Sequence, residues 1–154
     1  MGDFIIARAV HVFAVLMWIG GVAFVTTVLM PSIRAQYTPD QRLSAFQRIE
    51  GRFAPQARIW VLLAGASGFW MVYRAGLWER FVEFRFWWMH AMVALWLAFM
   101  VMLFVLEPLV IHRRMANSAT PEATYDRMER MHRIALILGI ITLLGAVAGS
   151  HGLM

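Results

Sequence analysis

Residues Phe4–Met30 read FIIARAVHVFAVLMWIGGVAFVTTVLM and stop at Pro31. Arg8 and His11 are the only side chains in this run that can carry charge. A helix rises about 1.5 Å per residue, so about 20 apolar residues cross a hydrocarbon core of about 30 Å. The run is long enough, and it is read as a membrane span rather than a cleavable leader. Asp3 stands where a leader would be basic, and no small-residue cleavage site follows.

Working outward, the same pattern recurs. A second clear run extends from about Phe86 to Ile111 and ends at His112-Arg113-Arg114, and another starts at Ile134 and reaches the C-terminus. Ile59–Tyr73 is shorter, but Arg58 and Arg74 can snorkel from its ends and extend it. The expected spans are therefore about 4–30, 57–73, 86–111 and 134–153. They make an all-α polytopic membrane protein, a four-transmembrane-helix bundle forming one membrane domain over residues 1–154. Composition agrees, since 61% of the 154 residues are hydrophobic and only 15% are charged, too little polar surface for a soluble domain of this size.

All basic side chains are arginines, and they divide unevenly. Arg34, Arg42, Arg48, Arg52, Arg58, Arg113, Arg114, Arg127, Arg130 and Arg133 lie between spans one and two or between three and four. Arg8, Arg74, Arg80 and Arg85 lie on the other side. The positive-inside rule puts the Arg-rich connectors in the cytoplasm of a bacterial inner membrane, with both termini periplasmic. The net charge of +5 is thus a matter of topology, and the expected partner is the lipid bilayer, with no nucleic acid. Trp70, Tyr73, Trp78, Trp87 and Trp88 are expected as an aromatic belt at the outer interface.

Thr38-Pro39-Asp40-Gln41 carries a helix start, with Leu43, Phe46, Ile49 and Phe53 repeating at helical spacing among arginines. Thr120-Pro121-Glu122 starts another that runs toward the fourth span. Two amphipathic cytoplasmic connector helices are expected, lying on anionic headgroups. Each half then reads as span, proline, basic connector and span, with Pro31 and Pro108 in matching places, the pattern of a duplicated hairpin or simply of two hairpins alike.

The chain has no cysteine, which excludes disulfides, thiolate metal sites and iron–sulfur clusters. It has no Gly-flanked serine elbow, no phosphate-binding glycine loop and no paired carboxylates within a span. Its chemistry-bearing groups are histidines. His11 lies about 10 Å and His90 about 6 Å inside their spans at the outer end, and His151 sits at the last outer turn. An ionisable group inside a span points to function, although one alone can be a packing residue.

Two histidines at matched depth on different helices suit axial ligation of haem b. Gly65 and Gly68, with Gly145, Ala148 and Gly149, offer room at the same end, or merely let helices pack closely. Arg8 and Arg85 are candidates for haem propionates, or for interfacial anchors. His112 and His132 are expected to be solvated or headgroup-facing, and Glu107 to pair with Arg58 or Arg133. The 12 methionines raise copper as an alternative, but Met89 and Met92 point about 100° and 160° away from His90 on a helix.

The first-span stretch HVFAVLMWIGG, with His11, Trp18, Gly20 and Gly21, resembles the opening helix of the copper-resistance D (CopD)-like membrane proteins. It also resembles that of the HemJ-type protoporphyrinogen oxidases, and Trp87-Trp88-Met89-His90-Ala91-Met92 is similar to their Trp-x-His-x-Lys stretch. The resemblance implies a four-helix membrane protein that binds haem b or handles copper, with His11 and His90 as ligands and Trp18 lining the pocket. Met92 stands at the oxidase lysine and the Pro-Arg continuation of the first helix is absent, so protoporphyrinogen oxidation itself is not implied.

Three functions follow as expectations. One is a haem-b electron-transfer protein with cofactor-binding His11, His90, Trp18, Arg8, Arg85, Gly68 and Gly149. Another binds or transports copper through His11, His90 and His151. The third is a non-catalytic structural subunit of a larger membrane complex. A redox partner or a homo-oligomer would accompany the first.

Overall fold

The computed structural model describes residues 2–111 and 120–152, except for the side chains of 108–111. Among these residues every regular element is a helix. The chain runs α1 (Gly2–Phe24), a π segment (Val25–Leu29), α2 (Met30–Gln36), α3 (Pro39–Ala75), two short 3₁₀ turns (Leu77–Phe81 and Phe84–Phe86), α4 (Trp87–Val101), a second π segment (Met102–Ile111) and α5 (Pro121–Ser150). Three helical stretches, Gly2–Gln36, Phe84–Glu107 and Pro121–Ser150, are long and apolar enough to cross a membrane. The chain is therefore an all-helical protein built for a bilayer. His112, Arg113 and Arg114 at the expected end of span three lie outside the described residues, as does residue 153, the last of span four.

Pro31 explains why the first helix widens before it. A proline brings no N–H and crowds the carbonyl one turn back. The chain answers with i→i+5 bonding, the Met30 N–H reaching the Val25 carbonyl, while Thr26, Thr27 and Ser32 hydroxyls donate to the carbonyls four residues earlier. The second π segment likewise contains a proline, Pro108.

α3 differs from expectation. The connector and the apolar Ile59–Tyr73 stretch form one unbroken helix from Pro39 to Ala75, passing through Pro55. Gly51 and Pro55 are both exposed, so the carbonyl that Pro55 leaves without a helical donor faces solvent rather than the core. The helix ends at Gly76, whose φ of 63° is the left-handed conformation that glycine adopts without strain.

α1 packs most extensively on α3, and α4 packs on α3 and α5. α1 and α4 meet through side chains in the core. There Trp18 meets Phe99 edge-on, with ring centroids 4.9 Å apart, inside a core of Ala14, Ile19, Val22, Val61 and Ala64. At the arginine-rich end a separate core gathers Met30, Ile33, Phe46 and Tyr125. Fully buried Tyr125 donates its hydroxyl proton to the Met30 carbonyl at 2.8 Å, which ties α5 to the junction of the π segment and α2. At the opposite, aromatic end, Asp3 and Arg74 pair at 2.6 Å and clip α1 to α3. This contact holds the Arg74 guanidinium above its ordinary pKa through a hydrogen bond.

Candidate functional site

His11 projects from α1 onto α3. Its Nδ1 lies 2.8 Å from the Ala64 carbonyl, a contact that requires the Nδ1 proton. The Ser67 hydroxyl stands 3.3 Å from the same nitrogen and donates to the Leu63 carbonyl at 2.5 Å. Ring position and tautomer are therefore set by α3. Gly68 forms the floor of the notch: a Cβ there would lie 3.1 Å from His11 Cε1. Among the described residues Nε2 makes no hydrogen bond, so the half-buried ring is fixed at one nitrogen and leaves the other uncommitted. A carbonyl that fixes one nitrogen and frees the other is an arrangement that suits a metal-binding histidine.

His90 sits in different surroundings. It is exposed, Nε2 lies 2.9 Å from the Phe81 carbonyl and Nδ1 lies 3.2 Å from the Phe86 carbonyl. Phe81 packs edge-on and Phe84 face-on against the ring. In a neutral imidazole only one of the two nitrogens donates, so His90 fastens the 3₁₀ turns to α4. Among the described residues no hydrogen bond or ring contact joins it to His11. His151, exposed at the end of α5, bonds through Nδ1 to the Val147 carbonyl at 2.8 Å. Among the described residues no three His, Asp or Glu side chains gather as a metal site.

The room expected beside the glycines is occupied by tryptophan. A Cβ at Gly65 would collide with the Trp96 indole, one at Gly145 with Trp87, and one at Gly149 with Trp88. Trp96 also donates its indole proton to the Val61 carbonyl at 2.9 Å. Gly149 is thus a seat for Trp88, and Gly68 a seat for His11 itself. The belt is accordingly divided: Trp70, Tyr73 and Trp78 are exposed, whereas Trp87 and Trp88 turn inward. An indole is bulky and apolar, so it fills the groove that a missing side chain leaves in the opposite helix.

The remaining candidates separate. Arg8 is exposed and forms no ion pair among the described residues, whereas Arg85 pairs with Glu83 at 2.6 Å and lies over the Phe86 ring. Trp18 is 5% exposed and its indole Nε1 is buried with no hydrogen-bond partner among the described residues, on the same face of α1 as His11. His132 is half-buried, bonded to the Met128 carbonyl at 2.9 Å and packed edge-on against Phe46. Glu107 is buried and its pair is with Arg58, at 3.3 Å, rather than with Arg133.

Two groups at the arginine-rich end were not foreseen. Arg34 reaches across to Asp126 at 2.5 Å and also to Glu129, and Glu129, 8% exposed at its side chain, binds Arg133 at 2.6 Å as well. The sequence held a signal for this, because Tyr125, Glu129 and Arg133 repeat at i,i+4 on one face of α5. Only the fold supplies Arg34.

Searches against protein-family models, curated proteins and solved structures find no match to this chain.

Proposed function

We propose that this chain is a four-span inner-membrane haem-b protein that passes electrons, with His11 as the anchored iron ligand. The observation that carries the reading is the His11 ring itself: Nδ1 held by the Ala64 carbonyl at 2.8 Å, Nε2 uncommitted. The HVFAVLMWIGG stretch around it, which resembles the CopD-like and HemJ-type proteins, supports the same assignment. In this reading the apolar part of α3 is the second span, the amphipathic parts of α3 and α5 lie at the cytoplasmic interface, and both termini are periplasmic. The division of arginines supports that orientation.

The donor chemistry fits haem and the glycine notches do not. His11 offers one neutral nitrogen, and haem iron, held by four porphyrin nitrogens, takes only one or two ligands from a protein. Copper held by side chains alone needs several donors on one ion; among the described residues no three His, Asp or Glu side chains gather, and Met89 and Met92 point away from His90 on a helix. Haem is therefore preferred to copper. Gly65, Gly145 and Gly149 hold indoles, so they supply no space for a macrocycle in this packing. His90 serves as a second ligand only after its Nε2 leaves the Phe81 carbonyl. The cofactor, when bound, would supply a one-electron couple. The chain's own part is to fix His11, exclude water from its ring and present a dry, aromatic surrounding. Protein purified from haem-replete cells is expected to show a sharp Soret band that His11→Ala removes. His90→Ala is expected to keep haem bound and to change only its spin state.

A further inference from the structure

Between the end of α2 and the first turns of α5 lies a cleft of about 680 Å³, lined by Pro31, Arg34, Asp126, Glu129, Arg130 and Arg133 among others. Three guanidiniums face two carboxylates there, so the cleft is net positive. Arg34 and Arg133 are held in place by Glu129, and Arg34 also by Asp126. Arg130 is exposed and forms no ion pair among the described residues. The depth is equally telling. Pro31 closes the apolar run of α1, and Ile134 opens that of α5, so the cleft sits where a bilayer changes from acyl chain to headgroup.

We propose that this cleft binds the phosphate of an anionic phospholipid. Guanidinium forks match phosphate oxygens in geometry and charge, and basic pockets between membrane helices on the cytoplasmic side suit such headgroups. The carboxylates give the site its selectivity: they hold two arginines in position, and they leave a surplus of about one charge, enough for a phosphodiester. Arg130 is the cation free to close on the lipid. The assignment is independent of any cofactor at His11, which lies at the other end of the molecule.

Native mass spectrometry of the detergent-purified protein tests it, with phosphatidylglycerol, phosphatidylcholine and inorganic phosphate as probes. The wild-type protein is expected to retain phosphatidylglycerol preferentially and to melt higher in its presence. Arg130→Gln is expected to lower that retention about fivefold, since one basic residue at a membrane surface contributes about 1 kcal/mol. Its melting without lipid should match wild type, because Arg130 holds no described partner. Equal retention of the two lipids, or unchanged retention in Arg130→Gln, would overturn the proposal. Displacement of the lipid by millimolar inorganic phosphate would assign the cleft to a soluble phosphate compound and overturn the lipid assignment as well.

Discussion

Adding one methyl group at Gly149 would drive it into the Trp88 indole, and the same holds at Gly65 against Trp96. Both rings are wedged between helices, so they cannot retreat without repacking. Overfilling of this kind costs about 1–3 kcal/mol. Gly149→Ala and Gly65→Ala are each expected to lower the melting temperature in detergent, whereas Gly20→Ala, with open space at its Cβ, should not. Comparable melting of all three variants would show that the indoles do not occupy these notches. Histidine chemistry at this scale depends on partners that no spacing rule reveals. His11 and His90 looked alike in the sequence because both sit a few residues inside an apolar run. The Ala64 carbonyl commits only one nitrogen of His11, whereas Phe81 and Phe86 carbonyls face both nitrogens of His90.

At the scale of the helix, the Arg58–Glu107 pair locks α3 to the π segment that follows α4. Arg58 binds Glu107 at 3.3 Å and donates from Nε to the Leu103 carbonyl at 3.1 Å. Arg58 is a cationic partner of a buried carboxylate, so removing it alone costs more than removing both members together. Arg58→Met should therefore destabilise, and Arg58→Met with Glu107→Leu should recover part of the loss. A double variant as unstable as the sum of the single ones would contradict this coupling. The pairing itself was legible, because a carboxylate inside a span requires a cation at similar depth. The continuity of α3 was not legible. The connector and the second span were expected as separate elements, yet Gly51 and Pro55 between them both lie on the exposed side, where solvent receives the carbonyl that proline leaves bare.

For the whole molecule, hydropathy carries most of the architecture. The three strong apolar helices were plain in the sequence because length alone decides them. The weaker Ile59–Tyr73 stretch owes its place to packing against α1, which periodicity does not show. The ion-paired cleft escaped notice for a similar reason: Arg34 and Glu129 are far apart in sequence, and only the return of α5 beside α2 joins them. The proposed topology is testable because the chain contains no cysteine. Val82→Cys, in the exposed turn before α4, should react with a membrane-impermeant maleimide in spheroplasts. Ser44→Cys, on the exposed side of the α3 connector, should react only after the membrane is opened. The reverse pattern would invert the topology.

The central claim concerns His11, and one comparison tests it most directly. Absorption spectra of wild-type protein and His11→Gln, both purified from haem-replete cells and matched for folding by their melting curves, would be recorded oxidised and dithionite-reduced. The account predicts a Soret band with a reduced α band in the wild-type protein and the loss of both in the variant. A folded wild-type protein that is colourless, or a variant with an unchanged spectrum, would contradict it.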